Sequence, residues 1–120
     1  MHKKRILIIE DDPELSGEMK ELLETEGYIA DTVLRGPSGI ELLGKNNYDI
    51  FLLDFKMEGM TGLEVLKEIR KKNTKAAVFF ISGRPELAAL LEAEHMTGAV
   101  NGIVEKPFDP QLLLEKIKTV

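Results

Sequence analysis

The chain of 120 residues contains no cysteine, few aromatic residues and no long hydrophobic run. Without cysteine there is no disulfide framework, no cysteine-ligated zinc site and no thiol catalysis, which is consistent with a reducing compartment. The first apolar run, residues 6–9, follows a basic tail and is far too short for a signal peptide core or a membrane span. We therefore expect a cytoplasmic protein that does not bind membranes.

Basic residues are also outnumbered, with 16 Lys and Arg against 21 Asp and Glu and a net charge of −5. This acidic balance disfavours binding to nucleic acid through a broad basic face. Histidine is equally scarce, and we interpret His2 and His95 as surface residues. A metal site in this chain would therefore have to be built from oxygen ligands.

Apolar runs that suit buried strands alternate five times with segments that carry an apolar stripe. The links between them are short enough for right-handed crossovers, so we predict an α/β fold: one doubly wound (βα)5 domain, with a parallel sheet between helices. This domain is expected to span residues 1–120, with no output domain visible. The predicted strands are residues 5–9, 28–33, 50–53, 77–81 and 103–104. The first predicted helix starts at Pro13 and is capped by Asp12. The other four are predicted to start after Gly36-Pro37-Ser38, after Thr61-Gly62, at Pro85 and at Pro110.

Charged and hydroxyl side chains follow four of these strands. Glu10 and Asp11 follow the first, Asp54 the third, Ser82 the fourth and Lys106 the fifth. Because the carboxyl ends of parallel strands share one edge of the sheet, we expect these side chains to converge. Crowded carboxylates raise one another's pKa values unless a cation lies between them. The oxygen-rich set suits a hard divalent ion such as Mg²⁺, with Mn²⁺ as an alternative.

A divalent ion beside an aspartate, a hydroxyl and an ammonium forms a site for a phosphoryl group. The repulsion between a phosphate and the Asp54 carboxylate would be offset by the ion, by Lys106 and by the Ser82 hydroxyl. Asp54 could then act as a nucleophile and become an aspartyl phosphate. The residues therefore point to phosphoryl transfer to a side-chain carboxylate.

Taken in order, these motifs resemble the receiver domain of bacterial two-component response regulators, the CheY-like family. The resemblance rests on Glu10-Asp11, on Asp54 with Gly62 eight residues later, on Ser82-Gly83 and on Lys106-Pro107-Phe108, and it extends from Lys4 to the end of the chain. It implies a flavodoxin-like sheet with the strand order 2-1-3-4-5.

The resemblance also implies how the metal is held. Asp54 would be the phosphoacceptor. Asp11, Asp54 and the backbone carbonyl of Lys56 would bind Mg²⁺ directly, and Glu10 would reach the ion through water.

Further roles are implied around the phosphoryl group. Lys106 would pair with the phosphoryl oxygens and be followed by a cis peptide bond to proline. Ser82 would move towards the group and report its presence, and Gly83 would leave room for the donor. Lys56 and Arg84 occupy positions that tune hydrolysis in this family.

The function implied by the resemblance is a phosphorylation switch. A sensor histidine kinase or a histidine phosphotransfer protein would donate the phosphoryl group. The face formed by the fourth helix, the fifth strand and the fifth helix would then change its affinity for a partner or a second copy of the chain. Such a domain promotes its own phosphorylation and dephosphorylation but is a signalling module and not an enzyme.

On the fifth helix we expect Leu113, Ile117 and Val120 to face inward and Leu112 to be exposed.

Three departures from the family pattern leave alternatives open. Ile103 stands where the family usually has an aromatic switch residue, Glu58 stands where it usually has proline, and the segment between Ser82 and Lys106 is about two residues longer than is typical. A degenerate receiver that acts only as an interaction scaffold is one alternative.

Two enzyme-like or cofactor-binding alternatives fit the sequence less well. A Mg²⁺-dependent phosphatase that forms an aspartyl phosphate would need a second acid at the position of Lys56. A flavodoxin-like FMN carrier would need a phosphate-binding loop where residues 10–12 are acidic, and these would repel the phosphate.

Overall fold

One parallel sheet with helices on both faces makes up the fold. The computed structural model describes residues 3–57, 59–72 and 75–120. The strands are β1 (Arg5–Ile9), β2 (Ile29–Val33), β3 (Ile50–Asp54), β4 (Ala77–Ser82) and β5 (Gly102–Glu105), and the helices are α1 (Pro13–Thr25), α2 (Gly36–Lys45), α3 (Gly62–Lys72), α4 (Leu87–Ala93) and α5 (Pro110–Ile117). The strand order is β2-β1-β3-β4-β5. The predicted fold class and strand order are confirmed.

The core consists of two apolar layers, one on each side of the sheet. Successive residues of β3 face opposite sides, so Phe51 packs with Leu66 of α3 whereas Leu52 packs with Met19 of α1 and Leu113 of α5. Helices α2, α3 and α4 cover the first side, and α1 and α5 cover the second. Because both faces are covered, the central strands are nearly continuous apolar runs.

Helix α1 begins where the sequence predicts. The Asp12 carboxylate accepts hydrogen bonds from the backbone N–H groups of Glu14, at 3.0 Å, and Leu15, at 3.3 Å. This is the expected arrangement of an N-terminal cap followed by proline in the first turn. The cap directs the Asp12 side chain back onto its own helix.

Two other helix starts differ from the prediction. Helix α2 begins at Gly36 itself, because a proline in the first turn sacrifices no helical hydrogen bond. Helix α4 begins at Leu87 and not at Pro85, since the Leu87 N–H bonds to the Arg84 carbonyl (3.3 Å) and closes a turn before the helix. His95 lies beyond α4 and is exposed, with a φ of 55°.

Helix α3 has an additional cap at Thr61, for which the sequence carries a Thr-x-x-Glu signal. The Glu64 N–H donates to the Thr61 hydroxyl at 3.2 Å, and the Thr61 N–H donates to the Glu64 carboxylate at 3.3 Å. Such reciprocal bonding satisfies two backbone donors at the start of the helix. It fixes the end of the loop that follows β3.

Asp31 on the edge strand β2 binds two side chains. Asp31 accepts from the Tyr48 hydroxyl at 2.8 Å and from the Arg5 guanidinium at 3.2 Å. Burial, followed by the hydrogen bond to Asp31, raises the pKa of Tyr48 to about 12. None of the helices in the described ranges has the length and apolar character of a membrane span.

Candidate functional site

The carboxyl edge of the sheet brings one ammonium between two buried carboxylates. Asp54 ends β3, Glu10 directly follows β1 and Lys106 directly follows β5. Lys106 Nζ donates to Glu10 Oε1 at 3.1 Å and to Asp54 Oδ1 at 3.2 Å. Glu10 is 0% exposed and Asp54 is 4% exposed. Charges buried this deeply are stable only when they are paired or bound by an ion.

The strand register explains why these residues meet. Ile9 pairs with Leu53, so the next residues, Glu10 and Asp54, leave neighbouring strands at the same height. Ser82 pairs with Glu105 at the top of β4 and β5, which places Lys106 one step further. Residues separated by up to 96 positions in sequence thereby form one cluster.

Three carboxylates at this edge are suited to hold a cation. Glu10, Asp11 and Asp54 each offer an oxygen within 4.8 Å of the others. Glu10 Oε2 is buried, and the described part of the chain supplies no hydrogen-bond partner for it. An unpaired buried carboxylate oxygen is costly, whereas hard divalent ions bind several carboxylate oxygens. The donor set therefore fits Mg²⁺.

The protonation equilibria show the same shortage of positive charge. Burial, reinforced by the negative charge of Glu10, raises the pKa of Asp54 to about 7, although Lys106 opposes the shift. Burial alone would lower the pKa of Lys106, but its contacts with Glu10 and Asp54 raise it. The single positive charge of Lys106 is therefore not enough to neutralise both Glu10 and Asp54.

Ser82 lies at the same edge and is buried. Its Oγ accepts a hydrogen bond from the Arg84 N–H at 2.9 Å, and its carbonyl accepts from the Lys106 N–H at 2.9 Å. The hydroxyl proton remains available to an acceptor in the site. Ser82 is therefore linked both to the start of α4 and to the residue that contacts Asp54.

A cavity of about 310 Å³ lies beside this cluster. Half-buried Ile103, which the resemblance predicts at the switch position, forms part of its wall. A Cβ atom added to Gly83 would lie 3.6 Å from the Lys106 Cβ, which is an ordinary van der Waals contact, so packing against Lys106 does not itself require glycine here. The lining residues are Ser82, Gly83, Arg84, Pro85, Ala88, Ile103, Glu105 and Lys106.

A second cavity, of about 320 Å³, opens between α1 and the chain that follows β5. Leu15 and Phe108 contribute apolar surface, and Glu14 and Glu18 contribute charge. Lys106 lines this cavity as well as the first one. Lys106 therefore borders open space on two sides.

Other predicted site residues lie at the periphery. Lys56 is exposed in the loop after β3, and the exposed Arg84 guanidinium pairs with Glu86 at 3.2 Å. Glu58 and its predicted effect on the loop lie outside the described residues. The Lys106–Pro107 peptide bond is cis, as the resemblance implies. The roles assigned to these residues stay predictions.

The predicted orientation of α5 is largely confirmed. Leu113 and Ile117 are fully buried and Val120 is half-buried, whereas Leu112 is 43% exposed. Leu114 is also buried, which the predicted stripe did not include.

Comparison with known proteins agrees with this geometry. The sequence model of the family described as response regulator receiver domain matches residues 6–118. The uncharacterized transcriptional regulatory protein YkoG of Bacillus subtilis is 31% identical over 121 residues, which cover 98% of this chain and 51% of that protein. The cell cycle transcriptional regulator CtrA of Caulobacter vibrioides is 28% identical, over 97% of this chain and 49% of its own length. The chain thus spans about half the length of these curated relatives.

Solved structures show the same fold. The response regulator TrrA of Thermotoga maritima, solved in complex with Mg²⁺ and BeF, is 34% identical with a TM-score of 0.84, and the match covers 97% of each chain. A CheY-like response regulator receiver domain protein of Methanospirillum hungatei is 28% identical with a TM-score of 0.90, over 98% of this chain and 93% of the other. From the family match, the fold and the acidic cluster at the carboxyl edge, we conclude that this chain belongs to the response regulator receiver domain family.

Proposed function

We propose that this domain is the phosphoacceptor of a two-component phosphorelay. A sensor histidine kinase or a histidine phosphotransfer protein would transfer a phosphoryl group to Asp54 in the presence of Mg²⁺. The observation that carries the proposal is the Lys106 ammonium bound between Glu10 and Asp54 while a second Glu10 oxygen is left without a partner in the described chain. The carboxylates can therefore bind one divalent cation, and the Lys106 ammonium together with this cation can bind an anionic phosphoryl group.

We assign the metal to the three carboxylates. Asp11 and Asp54 would bind Mg²⁺ or Mn²⁺ directly together with the Lys56 backbone carbonyl, and Glu10 would bind through water. The bound ion would offset the electrostatic repulsion between the phosphoryl oxygens and the Asp54 carboxylate. The complex of TrrA with Mg²⁺ and BeF supports this assignment by similarity.

The transfer forms one bond and breaks one. An Asp54 carboxylate oxygen attacks phosphorus while the bond from phosphorus to the donor's imidazole nitrogen breaks, and the electron pair stays with the imidazole. Lys106 would donate to a phosphoryl oxygen as charge builds up there, and the Ser82 hydroxyl would donate to another. Attack by water on the acyl phosphate would later regenerate Asp54 and release inorganic phosphate.

Acetyl phosphate tests the proposal because it supplies a phosphoryl group without a partner protein. Incubation with Mg²⁺ should add one phosphoryl group that is stable in acid and labile in base, as seen by intact mass. A chelator should prevent the addition. No uptake under these conditions would contradict phosphoacceptor function and favour the scaffold alternative.

Magnesium affinity should rise about tenfold between about pH 6 and pH 8. The pKa of Asp54 is raised to about 7 by burial and by Glu10, so at the lower pH most Asp54 carries a proton that the ion must displace. At the higher pH this competition is gone. Calorimetric titration with MgCl₂ at both pH values measures the change. Equal affinities would contradict it.

The output of the switch is proposed to lie on the face formed by α4, β5 and α5. A phosphoryl group held by Ser82 and Lys106 would shift the balance between two arrangements of this face. The face would bind a partner protein or a second copy of the domain. We further propose that residues 1–120 form one cytoplasmic receiver domain that does not itself bind nucleic acid or membranes, consistent with its net charge of −5.

Leu112→Lys should weaken any dimer formed through this face by about tenfold or more. Leu112 is 43% exposed on α5, and a symmetric dimer would bury it in both copies. Sedimentation velocity with Mg²⁺ and beryllofluoride measures the equilibrium. Gln111→Lys, at the neighbouring exposed position, is the control for added charge. An unchanged monomer–dimer equilibrium would argue against this face.

A further inference from the structure

Arg70 attaches the segment between α4 and β5 to α3. Half-buried Arg70, in the last turn of α3, donates from Nε to the Ala99 carbonyl at 3.1 Å and from Nη1 to the Ala76 carbonyl at 2.8 Å. Its second terminal nitrogen also donates to the Ala99 carbonyl. One guanidinium therefore joins the loop before β4 to the short 3₁₀ turn Thr97–Ala99.

Asn101 attaches the same segment to the sheet. Its Oδ1 accepts from the Val78 N–H at 2.9 Å, and its backbone N–H donates to the Val78 carbonyl at 2.7 Å. Both backbone groups of Val78 are thus bound by one residue just before β5. An exposed ion pair between Lys67 and Glu94, at 3.3 Å, adds a weaker tie at the end of α4. The lengthened segment is therefore held at several points.

The opposite end of α4 has fewer ties among the described residues. No side chain caps the helix, and residues 83–86 are exposed. The Arg84 N–H bonds to Ser82 Oγ, and the Leu87 N–H bonds to the Arg84 carbonyl at 3.3 Å. The 310 Å³ cavity, lined by Ala88 and Ile103, lies beside this end. The amino-terminal end of α4 therefore lies beside open space, and the hydrogen bond that ties it to Ser82 depends on the orientation of the Ser82 hydroxyl.

Backbone hydrogen bonds continue from the Thr97–Ala99 turn to α4, since the Ala99 N–H donates to the Met96 carbonyl at 3.0 Å and the Met96 N–H donates to the Leu91 carbonyl at 2.9 Å. We propose that Arg70 is a positioning residue that holds this turn, and through it the carboxyl-terminal end of α4 and the start of β5, so that switching is confined to the amino-terminal end of α4. This inference rests on the proposed function. When the Ser82 hydroxyl turns towards a phosphoryl group, the Arg84 N–H loses its acceptor and the first turn of α4 shifts into the cavity. Ile103, only two residues beyond Asn101, stays close to its present position.

Distances between spin labels test this proposal, and the absence of cysteine makes site-specific labelling simple. Glu21→Cys on α1 serves as the reference, paired with Ala89→Cys near the start of α4 or with Ala93→Cys at its end; all three positions are exposed. On adding Mg²⁺ and beryllofluoride, the first distance should change by about 2 Å and the second by less than about 1 Å.

Variants of Arg70 then separate positioning from a purely structural role. With Arg70→Gln the distance to residue 93 should also shift or broaden on adding the phosphoryl analogue, and Arg70→Lys, which keeps one charged donor, should restore part of the restraint. Lys67→Gln, which removes only the exposed ion pair with Glu94, should behave as the wild type. If Arg70→Gln fails to fold, Arg70→Lys provides the comparison.

Two results would overturn the inference. One is an equal shift at both ends of α4 in the wild-type chain. The other is a lower melting temperature of both Arg70 variants with an unchanged distance to residue 93. Calorimetry on the labelled proteins shows separately whether Mg²⁺ and beryllofluoride bind. Absence of binding would remove the proposed function together with this inference, whereas binding with an equal shift would overturn only the role of Arg70.

Discussion

Asp54→Asn should take up no phosphoryl group from acetyl phosphate under conditions in which the wild-type chain takes up one. The amide is nearly the same size as the carboxylate but is a poor nucleophile, so the acyl phosphate cannot form. Lys106 Nζ lies 3.2 Å from Asp54 Oδ1, and the amide oxygen of the substituted side chain can keep this hydrogen bond. Intact mass and base lability measure the loss.

Asp12→Asn is the matched control for this substitution. Asp12 is exposed, and its carboxylate accepts from two N–H groups of α1, a capping role that asparagine fills equally well. Its phosphorylation should equal that of the wild type. Stoichiometric labelling of Asp54→Asn would instead mean that another carboxylate is the acceptor, and the neighbouring Asp11 would be tested next.

Lys106→Met should slow phosphorylation of Asp54 by a factor of about 10²–10³ at saturating Mg²⁺. The ammonium lies 3.1 Å from Glu10 and 3.2 Å from Asp54, where it can follow the charge that moves onto the phosphoryl oxygens. Methionine is an unbranched side chain only one heavy atom shorter than lysine, but it cannot donate a hydrogen bond. The initial rate with acetyl phosphate, followed by intact mass, measures the effect.

The interpretation of this rate needs a control for the loss of charge. Lys20→Met removes a lysine of comparable side-chain exposure, 39% against 28%, from outside the cluster. It should leave the rate unchanged.

Without metal, Lys106→Met should also be less stable, since two buried carboxylates lose their cation. Circular dichroism at saturating Mg²⁺ therefore checks that the Lys106→Met variant is folded when its rate is compared with that of the wild type. A rate within about twofold of the wild type would exclude a catalytic role for Lys106.

Much of the site could be predicted because its signals are local in sequence. A buried parallel strand reads as a continuous apolar run, and the residue that ends it marks the carboxyl edge of the sheet. Asp54 and Lys106 were identified in this way, and the strand register then brings them into contact. Ser82 and the acidic pair follow from the same rule.

Long-range contacts away from the carboxyl edge of the sheet could not be predicted. Nothing in the sequence around Arg70 indicates that its guanidinium reaches Ala99, 29 residues later. Asn101 is similar, because a single asparagine in a glycine-rich stretch usually indicates a turn and here binds Val78. The sequence predicts the start of α4 two residues too early, because Pro85 is compatible both with a first helical turn and with the preceding β-turn.

The loop after β3 is closed by backbone atoms. The Gly62 N–H donates to the Phe55 carbonyl at 2.8 Å, and a Cβ at Gly62 would lie 2.6 Å from the Asp54 carbonyl. Neither contact depends on the side chain of Lys56. The position of the Asp54 backbone is therefore fixed independently of residue 56, so a substitution of Lys56 should leave the carboxylate cluster at the carboxyl edge in place.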